Sequence, residues 1–269
     1  MASPRENLQP ILISSPVRRS GTTLIQRLLC SAPNCLIFGE SCANDVNTFV
    51  NLFQAKQLSL QSHQAFREEV LQRVLAGEVN DWIADLMPTA YLEAMEEACF
   101  KLVVHQRDFA VAQGRPVWGM KMAEWNLNML VQLCQLLPKA KVIYITRGLE
   151  DCIRSAKRVN MIQGPMETQQ FAQTWQQGPM VVQQYISADR LLMLSYESLL
   201  AQPAQHIEQL AQFSGAEGID PTVLQHRINT FRSDLHRDPS GKGWMAPEDL
   251  DESDRAIIQQ YTYSGPFQP

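Results

Sequence analysis

Residues Ile11 to Leu24 read Ile-Leu-Ile-Ser-Ser-Pro-Val-Arg-Arg-Ser-Gly-Thr-Thr-Leu, and no other stretch restricts the fold as tightly. Ile11–Ser14 is a short apolar run of the kind that forms a buried strand. From Thr22 to Cys30 the apolar residues Leu24, Ile25, Leu28 and Leu29 recur at helical spacing. Between strand and helix lies a polar turn that carries Arg18, Arg19, Ser20, Gly21, Thr22 and Thr23. A buried strand that feeds a helix through a tight turn is the opening unit of an α/β fold. Free N–H groups at such a helix start attract anions. Gly21 lets the backbone approach a ligand closely, and the guanidiniums and hydroxyls add donors.

Three further runs have the same strand character: Val117–Lys121, Lys141–Thr146 and Leu191–Ser195. Helix-patterned segments follow them at Leu127–Leu137, Glu150–Val159 and Pro203–Phe213. Glu150–Val159 has acids in its first turn and bases later, as the helix dipole favours, and Gly215 stands where a C-cap glycine belongs. Four strands separated by helices predict a three-layer α/β fold, a central parallel sheet flanked by helices. Asn44–Lys101 lacks strand signals and is rich in Gln and Glu, with Leu and Val at helical spacing. It predicts a helical insertion over about 44–101, which either walls an acceptor pocket beyond the strand ends or only packs on the core. The tail from Arg237 reads as loop, a short helix near Pro247–Gln260 and an irregular end. With no internal repeat, residues 1–269 are read as one domain.

Composition narrows the function. A formal net charge of −5, from 23 basic and 28 acidic residues, lacks the basic field that nucleic-acid binding needs. Any anion must be held by a local basic site. Cys30, Cys35, Cys42, Cys99, Cys134 and Cys152 form no CxxC pair and read as reduced core residues. No apolar run approaches the roughly 20 residues that span a bilayer, and residues 1–10 lack the apolar region of a secretory signal. The expectation is a soluble, cytoplasmic protein without nucleic-acid or membrane partners. Oligomeric state stays open, a homodimer included.

A second strand–turn–helix unit runs from Lys141 to Arg158, with Arg147 at the strand end and Ser155 eight residues later. Arginine offers a fork to phosphate and serine adds a hydroxyl donor. Arg154, Lys157 and Arg158 make this helix locally basic in an acidic chain. Aligned on Gly21, a Walker A loop (GxxxxGK[ST]) would put its lysine at Thr22 and its first glycine at Pro16. Without that lysine the loop is not built for ATP or GTP hydrolysis.

Arg19-Ser-Gly-Thr-Thr-Leu24 resembles the 5′-phosphosulfate loop of sulfotransferases, in the style of their tyrosylprotein and bacterial branches. The resemblance covers about Ile11 to Gly243, the insertion apart. It implies a P-loop-like fold and a nucleotide donor, 3′-phosphoadenosine-5′-phosphosulfate (PAPS), with adenosine 3′,5′-bisphosphate as product and no metal. Arg147 and Ser155 match the family's 3′-phosphate pair, with Gly148-Leu149 where Asn-Pro is frequent. Tyr196, in Leu194-Ser-Tyr-Glu-Ser-Leu199, matches a position beside the adenine or ribose. Ser240-Gly-Lys-Gly-Trp244 is similar to the family's late loop, which implies that Lys242 and Gly243 close on the nucleotide; Arg237 is a further candidate. Trp118-Gly-Met-Lys121 looks like the family's Trp-Gly-x-Lys strand end, so Lys121 joins Arg19 as a cation for the sulfonate. For the general base, Glu40 after Phe38-Gly39 comes first, His105 is the alternative and Glu124 the third choice. Tyrosylprotein enzymes have a second acid where this chain has Ser41. The implied activity is sulfonate transfer to a hydroxyl or amine of a small-molecule acceptor in specialised metabolism. The competing readings are a kinase or other P-loop-like transferase, and a non-catalytic nucleotide-binding protein.

Overall fold

In the opening unit, β1 (Ile11–Ser14) is buried at all four positions and α1 spans Thr22–Ser31. The computed structural model describes residues 7–61, 63–78, 86–88, 90–123, 127–226, 228 and 249–263. The other expected strands, β3 (Val117–Lys121), β4 (Lys141–Thr146) and β5 (Leu191–Ser195), lie where the apolar runs place them. A fifth strand, β2 (Cys35–Phe38), follows α1 and corrects the expected count of four. Its four residues alternate between buried and half-buried at the sheet edge, too short a pattern to stand out beside a helix.

The sheet order is β2-β3-β1-β4-β5 and every pairing is parallel. β1 lies at its centre, with Ile11 opposite Gly119 of β3 and Lys141 of β4. The alternation of side chains divides the core into two layers. Leu12, Met120, Val142 and Tyr144 pack on one face, with Val46, Val103, Leu130 and Val182 from the helices. Ile11, Ile13, Ile143 and Ile145 pack on the other, with Ile25, Leu28, Leu29 and Leu210. Burial on both faces explains why these strands read as continuous apolar runs. Gly119 is a requirement of the sheet: a Cβ there would lie 1.9 Å from the Ile11 carbonyl oxygen.

The first layer consists of α2 (Glu40–Gln61), α4 (Tyr91–Ala112), α5 (Leu127–Leu136) and α7 (Pro165–Tyr185). The second contains α1 and α9 (Pro203–Ser214), which follows the short α8 (Tyr196–Ala201). The insertion is helical as expected, with α3 (Gln64–Leu75) between α2 and α4, but its helices extend past 44–101 at both ends. Val46, Val50, Cys99 and Val103 from it join the core, so it packs on the sheet. The sequence pattern hides α7 because Gly178-Pro179 interrupts a Gln-rich stretch, although Pro165 sits at its first turn, where proline starts helices. The last helix, α10, spans Glu252–Tyr263, shifted from the expected 247–260.

A third apolar cluster joins α6 (Leu149–Arg158), α7 and α10 through Cys152, Ile153, Phe171 and Ile258. At its margin Asp254 of α10 is fully buried. It lies 2.5 Å from Lys157 Nζ of α6 and accepts from Thr168 Oγ1 of α7 at 3.1 Å. The chain leaves β1 toward the β2 side and leaves β4 toward the β5 side. The adjoining ends of β1 and β4 are therefore a topological switch point, where open α/β sheets bind ligands.

Candidate functional site

Two turns meet at that switch point. In the first, the residues between β1 and α1 fold on themselves. Ser15 Oγ lies 2.8 Å from the Val17 carbonyl and 2.6 Å from that of Ala123. Ser20, fully buried, donates its hydroxyl to Val17 at 2.8 Å, so this side chain holds the turn. Arg19 (φ 70°) and Gly21 (φ 108°) both adopt left-handed backbone, a cost for arginine that tight functional turns impose. No side chain caps the N-terminus of α1, which leaves its first N–H groups directed at the crevice.

The second turn presents Arg147. Its guanidinium donates from Nη1 to the Arg19 carbonyl at 3.3 Å and lies 3.5 Å from Asp151. It also stacks 4.6 Å above the Tyr196 ring. Tyr196 in turn fills the space beside Gly21, where a Cβ would lie 2.7 Å from Tyr196 Cδ2. Arg19 Nε donates to Ser155 Oγ at 2.9 Å. The two turns, 136 residues apart in sequence at this contact, thus form one cationic surface.

Lys121, at the end of β3, is only 8% exposed in its side chain. A buried ammonium without a counterion costs on the order of several kcal/mol. Glu40, the first residue of α2 and 56% exposed, supplies the countercharge at 2.6 Å. Lys121 Nζ also lies 3.2 Å from Thr23 Oγ1. Three elements therefore bring together a base candidate, a cation and the first turn.

The remaining expected residues are placed as follows. Arg18 is exposed on the first turn, Thr22 is buried at the start of α1, and Ser155 is half-buried on α6. His105 is exposed on α4, and no contact joins it to the cluster. Lys242, Gly243, Arg237 and Glu124 lie outside the described residues. Burial pushes the Cys152 thiol, beneath the first turn, up to about 12, against the pull of its hydrogen bond with Ser20. It is a neutral packing group there and no nucleophile. Among the described residues no group of three or more His, Cys, Asp or Glu side chains is arranged to hold a metal.

Nothing in the sequence pattern marks Trp175, and Glu197 stands in the Tyr196-Glu-Ser-Leu199 segment with no role assigned to it, yet both touch the second turn. Trp175 Nε1 donates to the Arg147 carbonyl at 2.7 Å, and Glu197 Oε1 accepts from the Gly148 N–H at 2.9 Å. Their distance in sequence from Arg147 hides them.

The cluster suits a ligand with two separated anionic ends. Among the described residues Arg147 Nε is buried without a hydrogen-bond partner, a donor that an anion would satisfy. The uncapped α1 and the Gly21 turn offer further donors to an anion. Fold and site define a P-loop-like α/β protein for group transfer from an anionic donor. The pattern described as the sulfotransferase family matches residues 10–221, and the chain belongs to that family. It is a sulfotransferase, an enzyme of sulfonate transfer. A search of curated proteins finds no match to the sequence. Among solved structures, the sulfotransferase domain of the Synechococcus PCC 7002 olefin synthase is similar, with 17% identity, a TM-score of 0.50 and 99% of each chain covered. The sulfotransferase domain of the curacin biosynthetic pathway is similar at 15% identity and a TM-score of 0.51, covering 96% of this chain and 99% of that one. At these identities the likeness concerns the fold. Among the described residues no helix is long and apolar enough to cross a membrane.

Proposed function

We propose that the sulfonate donor is PAPS and that the acceptor is a small molecule sulfonated on a hydroxyl or amine. The observation that carries this reading is the Arg19–Ser155 hydrogen bond, which joins the β1 turn to the helix after β4. A nucleotide with charge at both its 5′ and 3′ positions needs two anion sites fixed relative to each other, and this contact fixes them. The turn 18–23 takes the phosphosulfate end through the N–H groups of α1, Thr22, Thr23 and the Arg18 and Arg19 guanidiniums. Arg147 and Ser155 take the 3′-phosphate, with Tyr196 against the nucleoside. Bound PAPS supplies the activated sulfonate.

The protein's own groups do the rest. Arg19 and Lys121 stabilise negative charge that develops as the sulfonate leaves. Glu40 takes the acceptor proton, and its exposure lets it face a diffusible acceptor while Lys121 orients it. The position of Glu40 at the start of α2 also brings the insertion to the acceptor side of the site. The similar olefin synthase and curacin pathway domains support a place in specialised metabolism. The six unpaired cysteines support a reducing compartment, the cytoplasm, and the whole chain acts as one domain.

Calorimetric titration with adenosine 3′,5′-bisphosphate tests the donor assignment, with ATP as control. The bisphosphate is expected to bind tightly, ATP weakly, and a doubly substituted Arg147→Ala, Ser155→Ala protein at least a hundredfold less well than the parent. Equal or stronger ATP binding, or indifference to the double substitution, returns the kinase and scaffold readings.

A further inference from the structure

The Arg147–Gly148 peptide is held from both sides by elements remote in sequence. Its carbonyl accepts from Trp175 Nε1 of α7 at 2.7 Å and from the Cys152 thiol at 3.8 Å. Its N–H, that of Gly148, donates to Glu197 Oε1 at 2.9 Å. Glu197 is itself fixed, because Ser195 Oγ donates to Oε2 at 2.9 Å and receives the Ser198 N–H at 3.2 Å. Gly148 is the N-cap residue of α6 and has no side chain with which to cap it. The carboxylate from the β5–α8 turn stands at that helix N-terminus, where a negative charge is favourable. Glu197 directly follows Tyr196, on whose ring the Arg147 guanidinium rests. One residue therefore ties the strand end that carries Arg147 to the turn that carries its stacking partner.

We infer that Glu197 is a positioning residue of the donor site: it locks the Arg147–Gly148 peptide against the Tyr196 turn, so that the guanidinium is oriented before the nucleotide arrives. Glu197 is exposed, and its removal opens no cavity in the core. Without the bridge the Gly148 end of the second turn is no longer tied to α8, while the Thr146–Ser195 strand pairing and the Arg147–Tyr196 stack still join the two elements. The Arg147 side chain then samples orientations that binding has to freeze out. Charge alone predicts the opposite sign, since deleting a carboxylate beside an anion site strengthens anion binding. Geometry and charge are therefore separable.

This inference rests on the donor reading above. The test compares binding of adenosine 3′,5′-bisphosphate to the full-length parent, Glu197→Ala and Glu197→Gln by calorimetry. Glutamine keeps an acceptor for the Gly148 N–H and removes the charge. Glu197→Ala is expected to bind about tenfold more weakly, and Glu197→Gln within about twofold of the parent. Alanine binding equal to the parent, or tightening in both variants, overturns the positioning role and leaves the donor reading standing. A parent that binds no bisphosphate overturns both.

Discussion

The two turns proposed to hold the donor are built in contrasting ways. The β1 turn folds in good part on itself, although Ser15 also reaches the Ala123 carbonyl: Ser15 and Ser20 both turn inward to the Val17 carbonyl, and Arg19 and Gly21 adopt left-handed backbone. The β4 turn has local contacts from Asp151 and Cys152 but leans more on distant elements. Its peptide is held by Trp175 of α7 and Glu197 of the β5 turn, and its helix by Asp254 of α10. One site is written into a short stretch of chain, the other into the tertiary structure. The first should resist distant changes and fail on local ones, and the second should do the reverse.

The largest expected effect tests the distant support. Asp254→Ala leaves the mostly buried Lys157 with only the exposed Asp251 carboxylate, 4.0 Å away, as countercharge and is expected to lower stability by about 3 kcal/mol in denaturant unfolding. Hydrogen exchange should then quicken in α6 and α10 while the amides of α1 stay protected. Equal loosening of α1 and α6 would break the contrast between the turns. Next in size, Gly21→Ala places a Cβ 2.7 Å from Tyr196 at a φ of 108°. The strain is on the order of 1–3 kcal/mol, and bisphosphate binding is expected to fall at least tenfold, read by the same calorimetry. A well-tolerated alanine would show that the first turn also borrows its shape from elsewhere.

The smallest effect concerns the thiol between the turns. With burial raising Cys152 to about 12, the folded state holds it as a neutral thiol. Its contribution to stability is complete below the ordinary thiol value of about 8.5 and is lost as pH rises from there toward the raised value. In maleimide labelling at pH 8 followed by mass spectrometry, Cys152, like the equally buried Cys35, should be among the last of the six cysteines to react, and its half-time should follow opening of α6. Prompt labelling would place the looseness in the second turn itself.

The same contrast explains what the sequence shows. Strands β1, β3 and β4 are legible to the residue because burial on both faces makes each a largely apolar run, and β5, half-buried at the sheet edge, is legible through its four consecutive apolar residues. The first turn is legible because all its parts are consecutive. β2 is not, because four residues at a sheet edge carry too little pattern, and α7 is not, because Gly178-Pro179 punctuates it like a loop. Arg147, Ser155, Lys121 and Glu40 can be named singly, but the 2.6 Å pairing of Lys121 with Glu40 is a property of the folded sheet. Trp175 and Glu197 lie 28 and 49 residues from the groups they hold, and no local spacing reports such a relation.

Gly119 separates two histories within one short motif. In Trp118-Gly-Met-Lys121 the lysine, under the mechanism proposed above, answers to the reaction, whereas the glycine answers to the Ile11 carbonyl that a Cβ would strike at 1.9 Å. A descendant of this enzyme that gave up catalysis would be free to discard Lys121 but would still be bound to its glycine. The glycine is a record of architecture, and the lysine two residues on is, under the proposed mechanism, a record of use.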